Sequence, residues 1–176
     1  MSRTCRVVAA FIAAGMFLVS CGDKPTRSHY EKAGAFSYEP PTGWRIVEVP
    51  GLKYRVASGP AENEFAPTVN FVDEMFAGTV AEYADTNIKH LHRVFGKVKI
   101  LSLEDFKTED NETGVKVVTE NEQHGRMLRQ TFYFLGSGSR RYVITCTALA
   151  DDGAKHDKAF AESVESFRMH KSLTPH

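Results

Sequence analysis

Cysteine is scarce in this chain, with 3 in 176 residues, at Cys5, Cys21 and Cys146. So few leave no internal disulfide framework, and the fold must rest on apolar burial. Long hydrophobic runs are missing too. The longest, Val7 to Val19, is about 13 residues, short of the roughly 20 that cross a hydrocarbon core. There is no excess of positive charge, since 22 Lys and Arg stand against 22 Asp and Glu. Such a balance would not hold a phosphate backbone, which excludes nucleic acid as a partner. The familiar catalytic signatures are also lacking: no HExxH, no G-x-S-x-G and no phosphate loop. Gly136-Ser137-Gly138 has glycines but neither the following Lys nor a helix, and reads as a hairpin turn.

What is present begins with Arg3 and Arg6, then the short apolar run, then Leu18-Val19-Ser20-Cys21-Gly22-Asp23. A basic start and an apolar stretch of this length are the pattern of a secretory signal. The junction resembles the lipobox of bacterial lipoproteins, in which Leu18, Val19 and Ser20 would guide cleavage before Cys21. The resemblance implies a signal peptide over residues 1–20 and lipid on Cys21, because two or more acyl chains are needed for stable anchoring. The partner implied is the lipid bilayer. With Gly22, and not an acid, directly after the cysteine, the expected location is the outer membrane, facing the periplasm. Removing residues 1–20 takes away Arg3 and Arg6 and leaves 20 basic against 22 acidic residues, net −2. Cys146 then stands alone in a β-patterned run, where a free thiol acts as a small buried apolar side chain.

Residues 21–35 are polar and read as a tether. The domain is expected over 36–168, with a loose tail over 169–176. Phe36-Ser37-Tyr38 alternates like a strand, Pro40-Pro41-Thr42-Gly43 turns the chain, and Trp44 to Val47, Leu52 to Ala57 and Thr68 to Val72 are further strand candidates. The period then changes. Val80, Tyr83, Ala84, Ile88, Leu91 and Phe95 recur at three- and four-residue steps, one face of a helix from Thr79 to Phe95 closed by Gly96. Four strand-like runs follow: Lys97 to Phe106, whose apolar phase shifts as at a bulge, then Gly114 to Glu120, Met127 to Leu135 and Arg141 to Ala148. Short turn-rich joints make them an antiparallel meander. Asp151-Asp152-Gly153 opens a last helix with Phe160, Ser163, Val164 and Phe167 on its buried face. The order ββ(β)-α-ββββ-α predicts an α+β domain, an antiparallel sheet with helices packed on it.

The opening Phe36-Ser37-Tyr38…Pro41-Thr42-Gly43-Trp44, the strands Phe132-Tyr133-Phe134 and Tyr142-Val143-Ile144-Thr145, and the close Phe160…Val164…Ser166-Phe167-Arg168 together resemble PsbP-like domains, which include bacterial envelope lipoproteins of the DcrB type. The resemblance implies an α/β/α sandwich and work in binding or assembly, with an envelope protein as partner and no cofactor. It carries over no residue as functional.

Candidate chemistry is thin. His90 and His92 are two apart on a helix, where metal ligands would need three or four to share a face. Carboxylates cluster at Glu104-Asp105, Glu109-Asp110 and Glu120 to Glu122, as an exposed strand edge explains. Asn111-Glu112-Thr113 is a sequon by pattern only. Trp44 and Tyr133 could line a binding groove, although alternation turns Tyr133 away from Phe132 and Phe134, and helices on both faces would bury all three. The expectation is therefore a membrane-anchored, non-catalytic binding or stabilising module. A lipoprotein holding a small ligand or lipid in an apolar cavity is the alternative, and an enzyme of unrecognised type is the third reading.

Overall fold

The computed structural model describes residues 28–170, so the expected signal peptide and the Cys21 anchor lie outside the described residues. Ten strands and two α-helices follow in order: β1 (His29–Glu31), β2 (Phe36–Tyr38), β3 (Arg45–Val47), β4 (Val56–Ser58), β5 (Thr68–Met75), α1 (Val80–Phe95), β6 (Val98–Lys107), β7 (Thr113–Gln123), β8 (Arg126–Ser137), β9 (Arg140–Leu149), α2 (Asp157–Glu165) and β10 (Arg168–Met169). Seven strands form one antiparallel sheet, ordered β3-β4-β5-β9-β8-β7-β6, and three form a small one, β1-β2-β10. Helix α1 carries the chain from β5 to the far edge, from which the meander β6 to β9 returns to pair with β5.

Local chemistry explains these elements. Thr79 accepts a hydrogen bond from the Glu82 amide at 3.2 Å, while the Glu82 carboxylate accepts from the Thr79 amide at 2.7 Å, a capping box that starts α1. Gly96 ends the helix at φ 68°. His124 and Gly125 both have positive φ, 51° and 75°, which makes the β7–β8 joint a two-residue turn of the twist hairpins favour. The register of β6 on β7 slips between Ile100 and Ser102, where the apolar phase shift placed a bulge. Gly114 admits no side chain: a Cβ there would meet the Phe134 carbonyl oxygen at 2.5 Å and the Phe106 ring.

Alternation divides the core in two. On one face Tyr83, Ala84 and Leu91 of α1 cover Val117, Phe132, Phe134 and Val143. On the other, Phe36 and Tyr38 of the small sheet, with Phe160 and Val164 of α2 and Phe167, cover Val69, Phe71, Tyr133, Leu135, Tyr142, Ile144 and Cys146.

Four expectations need correction. The tether is shorter than 21–35, because His29–Glu31 pairs with β2 and buries Glu31. The tail is not loose from 169: Met169 pairs with Phe36, and the His170 amide donates to the Ala35 carbonyl at 2.7 Å. The strand drawn over Leu52 to Ala57 exists only as Val56–Ser58, since Lys53, Tyr54 and Arg55 leave the ladder and hydrogen-bond Asp73 and Glu31. The last helix starts six residues after Asp151, at Asp157; Ala150–Asp152 is a separate 3-10 turn broken by Gly153 at φ 55°.

Candidate functional site

Trp44 and Tyr133 fall in the same core layer, 7% and 3% exposed. Trp44 meets Phe160 edge-on with centroids 5.8 Å apart, and Tyr133 meets Phe106 at 5.0 Å. Neither ring faces an open groove, because the α2 layer covers this side of the sheet. Burial pushes the Tyr133 hydroxyl up and keeps it neutral. Cys146 is fully buried, and burial, with the Asp157 charge adding to it, pushes its thiol well up, so it is no nucleophile. His90 and His92 gather no metal set; among the described residues no group of three or more His, Cys, Asp or Glu could hold an ion.

The polar constellations were hidden from sequence reasoning because distant segments meet in them. Asp73 on β5 accepts from Lys53 Nζ at 2.6 Å, from the Tyr54 hydroxyl at 2.7 Å, and from Arg140 Nε and Nη2 at 2.8 and 2.5 Å. Burial pushes the Asp73 carboxyl up, but these donors outweigh it and hold it below the usual carboxylate range. Glu31 on β1 accepts from Arg55 Nε at 2.9 Å, with His29 Nε2 at 2.7 Å from the same oxygen. Arg129 on β8 grips Asp157 at 3.2 and 2.7 Å and ties the first turn of α2 to the sheet. Each cluster ties segments distant in sequence together, and its donors and acceptors are spent on one another.

Ser37 Oγ and His170 Nε2 lie 2.8 Å apart, the spacing of a nucleophile and its base. The surroundings do not complete that chemistry. Ser37 sits mid-strand, opposite Tyr30 on one side and Arg168 on the other, so the backbone around it belongs to the small sheet's ladders and not to an oxyanion site. Among the described residues no acid hydrogen-bonds His170 to orient it.

Exposed apolar side chains gather on the outer strand β6. Ile100, Leu101 and Leu103 are 40%, 37% and 61% exposed along it, and it forms one margin of the seven-stranded sheet.

No protein-family model and no curated protein matches the chain. Solved structures do. The solution structure of cyanobacterial PsbP (CyanoP) from Synechocystis superposes with a TM-score of 0.62 at 13% identity, covering 87% of this chain and 99% of that one. The crystal structure of LpqN, involved in cell envelope biogenesis of Mycobacterium tuberculosis, gives 0.59 at 14% identity over 77% and 83%. A Pseudomonas aeruginosa protein of unknown function, a putative regulator, gives 0.53 at 16% over 80% and 91%. At such identities the likeness is one of fold. The class is an α+β sandwich with helices on an antiparallel sheet. Within that class the fold is PsbP-like, as the landmarks from Phe36 to Arg168 suggested.

Proposed function

We propose that the chain is a bacterial envelope lipoprotein, acylated on Cys21, whose domain works by binding and not by catalysis. One observation carries the binding half of this reading. The polar clusters are closed on themselves, while apolar side chains stand exposed along an open sheet edge. Unpaired edges and exposed apolar groups are where proteins meet partners. The lipobox residues Leu18 to Cys21 carry the anchoring half. Among the described residues no helix is long and apolar enough to cross a membrane. The envelope role in the LpqN description points the same way. On this reading the domain stands on the outer membrane, faces the periplasm and engages an envelope protein.

The alternative of a ligand in an apolar cavity under the sheet is weakened by what fills that layer. Phe36, Tyr38, Phe71 and Phe167 pack with ring centroids 4.4 to 6.4 Å apart. Growth with an alkyne-tagged fatty acid tests the anchor. The wild-type chain should take up the tag and Cys21→Ala should not; an untagged wild type or a tagged variant overturns it. In-cell cross-linking of both forms at native abundance should capture a recurrent envelope protein that is reduced in the variant. Absence of any recurrent partner counts against binding as the function.

A further inference from the structure

We propose that β6 is where two copies of this chain pair, antiparallel and edge to edge, about a two-fold axis through the bulge at Leu101 and Ser102. This rests on the binding reading and deepens it by naming a partner.

At ten residues β6 is a long edge, whereas the opposite edge, β3, has three. Among the described residues nothing pairs with its outer side. Long open edges invite pairing with another chain unless charges or bulges guard them. Here the charges and the bulge are arranged so that the strand complements itself. The β7 register fixes the faces. Lys99 lies opposite Glu120 and Glu104 opposite Lys116, which puts both on the α2 face. Ile100 lies opposite Thr119 and Leu103 opposite Val117, which puts both on the α1 face. Ser102 lies opposite Val118, midway between these pairs.

Measured along β7, Lys99 and Glu104 are therefore equal steps either side of Ser102, and so are Ile100 and Leu103. A two-fold axis at Ser102 sets Lys99 against Glu104 of the second copy and Ile100 against Leu103 of the second copy, each pair on one face. The bulge makes this possible. In a regular strand residues 99 and 104 would point to opposite faces. Lys99 already reaches Glu120 at 3.4 Å, and Lys116 reaches Glu104 at 2.7 Å. The joint then reads Glu120, Lys99, Glu104, Lys116 across four strands with alternating sign, and symmetry repeats it. Two Ile100–Leu103 contacts on the other face bury side chains that are now exposed, the isologous pattern of a two-fold dimer.

Sedimentation velocity of the full chain, purified from membranes in a mild detergent over a wide concentration range, tests this. The chain should dimerise. Lys99→Glu and Glu104→Lys should each weaken the dimer about tenfold, because two symmetric attractions become repulsions. The double swap should return it to near wild-type strength. Both residues are exposed and paired only at the surface, so the fold survives the changes. Ser102→Cys should give a disulfide-linked dimer in cells. A chain that stays monomeric at every concentration overturns the pairing, and so does a dimer indifferent to the swaps or not restored by the double swap. A monomer that still takes lipid on Cys21 sinks this inference alone and leaves the proposed function standing.

Discussion

Phe36→Ala tests whether the segment leading into the domain is part of its core. Phe36 is wholly buried, with ring centroids 4.9 Å from Phe71, 5.0 Å from Tyr54, 5.3 Å from Phe167 and 5.8 Å from Tyr142. Those neighbours lie on β5, on the β3–β4 connection, after α2 and on β9, so no single shift can close the space left behind. A truncation of this kind costs about 3–5 kcal/mol, transfer and cavity together. The whole domain should have about 5–15 kcal/mol to lose. With a urea slope of about 2 kcal/mol/M, the unfolding midpoint should fall by about 1.5–2.5 M. Trp44, the single tryptophan, lies in the same layer and reports the transition by fluorescence. Tyr30→Ala is the control, since Tyr30 lies on the outer face of the small sheet and is 50% exposed; it should stay within about 0.5 kcal/mol of wild type. A midpoint shift under about 0.5 M for Phe36→Ala would refute the reasoning, because the small sheet would then unfold apart from the core that Trp44 senses.

Two further substitutions probe the polar interior. The Tyr38 hydroxyl is buried with no hydrogen-bond partner among the described residues, so Tyr38→Phe should raise stability by about 1 kcal/mol, read as a higher urea midpoint; a clear loss would mean the hydroxyl is satisfied after all. Asp73 titrates below its unfolded value of about 3.9, so its contribution is present above that pH and is lost as pH falls through the lower folded value. Asp73→Asn should therefore cost about 1–3 kcal/mol at neutral pH and flatten the stability loss below about pH 4, measured by thermal melts across pH; a melting curve that runs parallel to wild type throughout would remove Asp73 from the account.

Much of the main sheet was legible because its signals are local. The three-and-four spacing from Val80 to Phe95, the start of that helix at Thr79 and the apolar phase shift at Ile100 and Leu101 each act within a few residues. Alternation also separated Phe132 and Phe134 from Tyr133, and the structure places them in the two opposite core layers. What alternation cannot say is whether a face is covered: Trp44 and Tyr133 fit the pattern of a groove lining, yet they lie in the core layer that α2 and the small sheet complete. The small sheet itself was half hidden. Its outer strands are three and two residues long, too short for a period to show, and β10 finds β2 from more than a hundred residues away. The Asp73 cluster was invisible for the same reason: Lys53, Tyr54 and Arg140 are brought to one carboxylate by topology alone.

The shortened tether and the β6 edge bear on one another. If Cys21 carries lipid, seven residues separate it from β1, a reach of at most about 25 Å when fully extended. The domain would then sit close to the bilayer, with β1 and its small sheet on the α2 side of the main sheet. An antiparallel edge pairing has its two-fold axis perpendicular to the sheet, which keeps the α2 sides of both copies facing the same way. Both tethers would leave from that common side, and two copies could pair through β6 while anchored in one membrane. A face-to-face pairing through the α1 surfaces would instead put the two tethers on opposite sides of the dimer. Confinement to one surface also raises the local concentration of the partner edge, so a contact that is weak in solution becomes populated there.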